Sequence, residues 1–168
     1  MVPSYQTPGI YIEEIPQLPP QVVQAETTMV AFIGYTEKAC QQLADDLLFT
    51  PLPIRSMLEF EQYYGGPCLL AEVHMTVEQS SLHASIDAFT PPAFILYGAL
   101  QLFFANGGLQ CLIVSTGNYS ATLPALEPLL HGLAAIEHIQ TVSLIVAPEA
   151  HRLTIDSYQL FTAATLQQ

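Results

Sequence analysis

Short apolar runs, separated by glycines, prolines and polar residues, dominate the pattern of this chain. Three of these runs, at 29–36 (MVAFIGYT), 110–116 (QCLIVST) and 142–147 (VSLIVA), contain no charged residue. Short apolar runs bounded by turn-forming residues are typical of strands that are covered on both faces, as in parallel sheets. We therefore expect three buried strands, none of which has a face in water.

Four segments between and after these strands have the pattern and the end signals of helices. Ser56 and Glu59 form a capping box in front of a short run that Gly65-Gly66 ends. A strongly apolar run begins behind Pro92, which suits a first helical turn, and stops at Asn106-Gly107-Gly108. The predicted helices are 57–64, 93–105, 123–137 and 154–166.

The intervening segments are less regular. Residues 37–53 contain polar residues and two prolines, with a short helical turn at 41–48. Within 68–90, the stretch LLAEVHMTVEQ partly alternates, as a strand does, and the stretch behind it, with its serines and histidine, resembles a surface loop. The strand–helix alternation in the rest predicts an α/β fold, with a mostly parallel sheet covered by helices.

Residues 1–28 precede the first buried strand and differ from the rest of the chain in their spacing of prolines, of which they contain five. Prolines fix φ and remove backbone donors, so we expect an extended arm without helix that carries one short strand at 10–14. Fully extended, about 20 residues reach about 65 Å, which exceeds the radius of a small domain. The sequence therefore divides into an arm, 1–28, and an α/β domain, 29–168. The prolines of the arm are Pro3, Pro8, Pro16, Pro19 and Pro20.

The charge balance excludes some partners. Only 3 Lys and Arg stand against 15 Asp and Glu, for a net charge of −12. Phosphate-binding surfaces need clustered basic residues, so we expect neither nucleic acid nor an anionic membrane as partner, and a basic protein surface suits the chain better. Charged residues make up 11% of the chain, and a mean hydropathy of +0.36 suggests that some surface is buried in an assembly.

Membrane insertion and secretion are not expected. The longest apolar stretch, 93–105, is interrupted by Gln101 and is shorter than the roughly 20 residues that cross a bilayer. The N-terminus has neither the basic nor the apolar region of a signal peptide. The three cysteines, Cys40, Cys68 and Cys111, are widely spaced and form no C-x-x-C, which suits the reducing cytoplasm.

None of the candidate chemical motifs is specific. Gly107-Gly108 follows a predicted helix instead of opening one, so a helix stop is a better interpretation than a phosphate loop. Glu13 and Glu14 point to opposite faces of an extended strand, which is wrong for a catalytic pair. His131 and His138 could share a helix face, although a third metal ligand is missing nearby in the sequence.

The remaining nucleophile candidates are also weak. Ser115 and Ser143 lie in or beside strands without the glycine pattern of a nucleophile elbow. Cys111 lies between apolar neighbours, where a buried, inert thiol is the usual state. We therefore expect no enzyme, no cofactor and no metal site.

Four stretches taken in order resemble the tail-sheath family, the sheath subunits of contractile phage tails and phage-tail-like injection systems. They are TPGIYIEEI (7–15), VAFIGYTEKA (30–39), IRSMLEFEQYYGG (54–66) and LFFANGGLQCLIVSTGNY (102–119). The resemblance covers most of residues 5–150. The Glu-Lys behind Gly-Tyr-Thr favours the injection systems.

The resemblance implies a structural role. Sheath subunits form stacked hexameric rings, or a six-start helix, around an inner tube, and they exchange terminal β-strands with neighbouring subunits. Contraction of the metastable sheath drives the tube into a target without nucleotide. The implied partners are other sheath subunits and, through the full assembly, the inner tube protein and the baseplate; the implied location is the cytoplasm during assembly, then the particle.

Two sets of residues carry this hypothesis. An arm that donates a strand to a neighbour would supply backbone hydrogen bonds and alternate side chains, with Ile10 and Ile12 towards the partner. The arm residues are Tyr5, Thr7, Pro8, Gly9, Ile10, Tyr11, Ile12, Glu13 and Glu14. The structural motif residues are Phe32, Gly34, Tyr35, Thr36, Phe103, Phe104, Asn106, Gly107 and Gly108.

The chain also departs from the family pattern. Sheath subunits carry a C-terminal domain that binds the tube and receives the neighbour's arm, and the expected sequence for it is absent here. The chain is therefore either the N-terminal portion of a sheath subunit or a short paralogue that caps or terminates the sheath. A small acidic α/β enzyme or ligand-binding domain with an unrelated arm is the remaining alternative.

Overall fold

The computed structural model describes residues 29–69, 72–78, 83–121 and 123–167. The arm at 1–28, with its predicted strand at 10–14, lies outside the described residues. The strands are β1 Met29–Thr36, β2 Leu52–Ile54, β3 Glu72–Glu78, β4 His83–Thr90, β5 Cys111–Asn118 and β6 Val142–Val146. The helices are α1 Met57–Tyr64, α2 Leu96–Ala105, α3 Leu126–Ala134 and α4 Ile155–Thr165, with a 3₁₀ helix at Pro148–Arg152.

A four-stranded sheet in the order β2-β5-β1-β6 forms the centre of the domain. β1 pairs in parallel with β5 and with β6, so that Phe32 lies between Ile113 and Val146. The short β2 adds antiparallel to the outer edge of β5. Helical connections between parallel strands produce this arrangement, and the prediction of an α/β fold with a mostly parallel sheet is confirmed.

Both faces of the sheet are covered because alternate residues of β1 and β5 point to opposite sides. On one face, Ile33 and Val114 pack with Leu129 of α3 and Phe161 of α4. On the other face, apolar side chains of α1 and α2 cover the sheet. The side chains of this second layer include Phe32, Ile113, Phe60, Tyr64, Leu96 and Leu100.

Helix α1 has the predicted bounds, whereas α2 and α3 are shorter than predicted. The Ser56 hydroxyl accepts from the Glu59 N–H at 3.2 Å, as a capping box requires. Helix α2 begins at Leu96 instead of 93, because Ile95 in front of it has a non-helical φ of −125°. Helix α3 covers Leu126–Ala134 instead of 123–137, since Ala125 is extended and the residues behind Ala134 form tighter turns.

The surface loop predicted behind the alternating stretch is wrong, because His83–Thr90 forms β4 and pairs antiparallel with β3. The strand prediction for that alternating stretch is confirmed by β3. Both β2 and the 3₁₀ helix at Pro148–Arg152 fall in segments for which no such element was predicted. A strand of three residues is too short to produce a periodic pattern.

The expectation that all three apolar runs avoid water is wrong for β6. β1 and β5 are buried between neighbouring strands, but β6 is the last strand of the four-stranded sheet. Ser143 is exposed, and the Leu144 side chain is 52% exposed. An apolar run predicts a strand but does not distinguish a central strand from an edge strand.

Candidate functional site

The aromatic motif residues meet where α2 packs on β1. Phe32 of β1 is buried, and its ring lies edge-to-face with Phe103 at a centroid separation of 5.4 Å. Phe104 packs on Phe103 in the same manner at 5.2 Å. Such pairs contribute about 0.5–1.5 kcal/mol beyond the burial of their surface. The Phe-Phe part of the motif therefore attaches α2 to the sheet.

The Asn106-Gly107-Gly108 turn ends α2 and leads towards β5, as predicted. Gly107 has a φ of 90°, a backbone conformation that favours glycine. The Gly108 N–H donates to the Phe103 carbonyl at 3.0 Å, and a Cβ at Gly108 would overlap the Phe103 ring. The Asn106 side chain donates to the Leu102 carbonyl at 2.7 Å. Both glycines therefore serve the helix end and its packing.

The second motif, Gly34-Tyr35-Thr36, closes β1 and connects it to its surroundings. The Tyr35 hydroxyl accepts from the Ala125 N–H at 3.1 Å, which fixes the approach to α3. The Thr36 hydroxyl donates to the Lys38 carbonyl at 2.7 Å, and it lies 2.6 Å from the Ser115 hydroxyl in a buried hydroxyl–hydroxyl contact. The buried Thr36–Ser115 contact ties the carboxyl ends of β1 and β5 together.

Gly34 itself leaves room for Glu149, which follows β6 in the 3₁₀ helix. The Glu149 side chain is fully buried, and one carboxyl oxygen, Oε1, accepts from the N–H groups of Ile95 and Leu96 at 3.0 and 2.8 Å. The other oxygen, Oε2, lies against Gly34 and has no hydrogen-bond partner within the described part of the chain. Glu149 thus caps the N-terminus of α2, where the Ile95 side chain supplies no cap.

Arg152, one turn further along the same 3₁₀ helix, contacts the chain just before α2. Its Nη2 donates to the carbonyls of Pro91 and Pro92 at 3.3 and 3.1 Å. Two side chains of one short helix therefore hold the segment that leads from β4 into α2. We name this arrangement the 91–96 clamp, which consists of Glu149 and Arg152 bound to residues 91–96.

Burial dominates the electrostatics of Glu149. It raises the pKa of the carboxyl group from its ordinary value of 4.5 to about 7, although the hydrogen bonds from Leu96 and Ile95 act in the opposite direction. Sequence reasoning missed this residue because a Glu behind an apolar strand looks the same whether it is buried or exposed. Pro148, directly before Glu149, indicated the end of a strand but gave no sign that the next residue is buried.

The other titratable candidates from the sequence are Cys111 and the histidines His131 and His138. Cys111 is fully buried, and burial raises the pKa of its thiol to about 12, which agrees with the expected inert thiol. The shared helix face predicted for His131 and His138 is wrong, because α3 ends at Ala134. Over the described ranges, no group of three or more His, Cys, Asp or Glu side chains could hold a metal ion.

The β3–β4 hairpin presents a mostly apolar face to solvent. Met75 lies opposite Ile86, and Val77 lies opposite Ala84, which places these side chains on one face of the hairpin. Met75, Val77 and Ile86 are 56%, 59% and 68% exposed. A two-stranded hairpin is marginally stable by itself, so an exposed apolar face is a candidate contact surface.

A second apolar surface extends over β6 and α4. Leu144 is exposed on β6, a strand without charged residues or proline, the usual devices that protect an edge from pairing. Helix α4 buries Phe161 but exposes several large apolar side chains. We name β6 and α4 together the β6 surface. Its exposed side chains on α4 are Ile155, Tyr158 and Leu160, and the exposed Leu166 lies directly behind the helix.

Comparison with known proteins adds no family, because the chain matches no protein-family model and no curated protein sequence. Within the part of the chain that the structure describes, every helix is too short or too polar to span a bilayer. The fold brings Phe32 together with Phe103, Phe104 and Gly108, whereas Gly34, Tyr35 and Thr36 make separate contacts with Glu149, Ala125 and Ser115. The arm residues 5–14 lie outside the described residues.

Proposed function

We propose that this chain is a structural subunit of the contractile sheath of a phage-tail-like injection system. In this proposal it polymerises with other copies around an inner tube, starting in the cytoplasm, and its N-terminal arm joins neighbouring subunits. The observation that supports it best is the β6 surface, an uncharged strand edge beside a helix that exposes several apolar side chains. Such a surface is expected of a subunit and is unfavourable for an isolated domain.

The arrangement of the motif residues supports the same proposal. Phe32, Phe103 and the glycine turn serve packing instead of chemistry, as expected of a protein whose function is assembly. The hairpin adds another exposed apolar face. The net charge of −12 favours contacts with basic protein surfaces over contacts with nucleic acid.

Deletion of residues 1–16 tests the role of the arm. In cells that assemble the particle, we expect the shortened chain to remain folded, by circular dichroism and urea unfolding, but to form no ordered tubes in electron micrographs. The physical reason is loss of strand donation between subunits. Normal tubes built from the shortened chain would contradict the proposed linkage.

The β6 surface has its own test with a matched control. Leu144→Lys places a charge on the exposed edge of β6, whereas Leu58→Lys places the same charge on α1, where Leu58 is 78% exposed. We expect Leu144→Lys to reduce assembly and Leu58→Lys to leave it unchanged, as measured by sedimentation. If the two variants assemble to the same extent, the β6 surface does not take part in assembly.

A further inference from the structure

The contacts of Glu149 are unusual for a carboxylate. The side chain is fully buried, and the hydrogen bonds that it accepts from the N–H groups of Ile95 and Leu96 both reach the same oxygen. The N–H of Glu149 itself also lowers the pKa of the carboxyl group. Oε2 has no hydrogen-bond partner among the described residues and lies against the backbone of β1 at Gly34. A buried carboxylate needs donors on both oxygens to offset the loss of water. The site therefore suits a neutral carboxylic acid better than an anion.

Protonation leaves the cap intact. Oε1 keeps its two N–H bonds as the carbonyl oxygen of the acid, while the proton sits on Oε2, the oxygen without a donor. Ionisation places a charge in the same buried site, and no side chain of the described part is among the groups that shift the pKa of Glu149. Only Nη2 of Arg152 donates, to Pro91 and Pro92, and its Nε has no partner among the described residues. The N–H bonds at the helix N-terminus favour the charged form, but the cost of burying the charge is larger, so the closed clamp as a whole favours the neutral form.

The side chains around Glu149 contribute little to the balance between its protonated and ionised forms. None of the side chains on the elements around the 3₁₀ helix is among the causes that set the pKa of Glu149. Glu149 does affect the pKa of the Tyr119 hydroxyl. Burial raises this pKa most, and nearby acidic groups, including Glu149, raise it further. The titratable groups on β1, α2, α4 and the 3₁₀ helix, and on the residues next to β1 and β5, are Tyr35, Glu37, Tyr97, Tyr119, His151, Arg152, Asp156 and Tyr158.

We propose that the 91–96 clamp is sensitive to protons, closed when Glu149 is protonated and loosened when Glu149 is ionised. The clamp joins the end of β4, the start of α2 and the end of β1, so loosening it changes how the exposed hairpin is attached to the domain. This inference depends only on the described contacts and stands whether or not the chain is a sheath subunit.

The direction of the pH effect follows from proton binding. The folded state holds a proton on Glu149 up to about pH 7, whereas an unfolded chain releases it near 4.5. The folded state therefore binds more protons between these values, and stability falls as pH rises through this window. The folding equilibrium constant decreases at most about 300-fold across it, about tenfold for each pH unit.

Nuclear magnetic resonance on the full chain tests the clamp directly. The carboxyl carbon of Glu149 is followed from pH 4 to 9, together with the amide signals of Ile95 and Leu96, in the wild type. We expect the carboxyl group to titrate near pH 7 and both amides to shift with the same midpoint. A titration midpoint of Glu149 near pH 4.5 would overturn the proposal. Amide signals of Ile95 and Leu96 that do not shift as Glu149 titrates would also overturn it.

Two variants sharpen the test. Glu149→Gln keeps the accepting oxygen but cannot ionise, so we expect its Ile95 and Leu96 amides and its urea stability to stay constant between pH 5 and 8. Glu127→Gln removes an exposed carboxylate on α3 and should reproduce the wild-type pH dependence. If Glu149→Gln fails to fold, the wild-type titration alone decides, with Glu149 assigned by selective labelling.

Discussion

Gly34→Ala is the most informative single substitution in the described core. A Cβ at this position would overlap Oε2 of Glu149 and would lie 3.1 Å from its Cδ and 3.4 Å from Oε1. Because Glu149 is fully buried, its carboxyl group cannot rotate into solvent to avoid the methyl group. It must move away from the N–H groups of Ile95 and Leu96, which leaves the first turn of α2 without its cap.

The magnitude follows from these two hydrogen bonds. A buried hydrogen bond contributes about 1 kcal/mol, and leaving its donor unsatisfied costs about 1–3 kcal/mol. We expect Gly34→Ala to lower the free energy of unfolding by about 2–4 kcal/mol in urea denaturation. Gly98→Ala is the matched control, because Gly98 lies in α2 with open space around its Cα, and it should raise stability by about 0.5–1 kcal/mol.

A double-mutant cycle separates the clash from other effects of the methyl group. In a Glu149→Ala background the new Cβ meets no carboxyl group, so Gly34→Ala should cost much less there, with a coupling energy of about 1–3 kcal/mol. The reasoning fails if Gly34→Ala changes stability by less than about 0.5 kcal/mol, or if its cost is the same with and without Glu149.

Two further predictions concern α1 and β5. Ser56→Ala removes the acceptor of the Glu59 N–H and should lower the free energy of unfolding by about 1 kcal/mol; an unchanged urea midpoint would contradict the capping box. Cys111, whose buried thiol has its pKa raised to about 12, should not react with a thiol reagent at pH 8 until the chain unfolds. Rapid labelling of Cys111 in the native state, located by mass spectrometry, would refute its burial.

The sequence predicted the parts of the fold whose signals are local. The capping box at Ser56 and the glycines behind α2 act on neighbouring backbone groups, so their residue types alone identify the helix ends. The strands β1 and β5 are buried on both faces, and a strand of this kind consists almost entirely of apolar residues. Its residue composition alone therefore identifies it. These elements were correct in type and nearly correct in extent.

The features that the sequence missed depend on contacts between distant residues. Glu149 caps a helix that begins more than fifty residues earlier, and no local pattern marks that pairing. Leu144 belongs to an apolar run like that of β1, and only the strand order reveals that β6 lies at an edge. Similarly, the start of α2 depends on the clamp at residues 91–96, which periodicity does not encode.

The central claim, that this chain is a sheath subunit, is tested most directly on particles isolated from the cells that make it. An antibody against the α/β domain, with gold labelling in electron micrographs, measures where the chain lies. We predict labels at regular intervals along the outside of contractile tubes. Labels confined to one end would indicate a capping paralogue, and intact tubes without label, with the chain found only as free protein, would contradict the account.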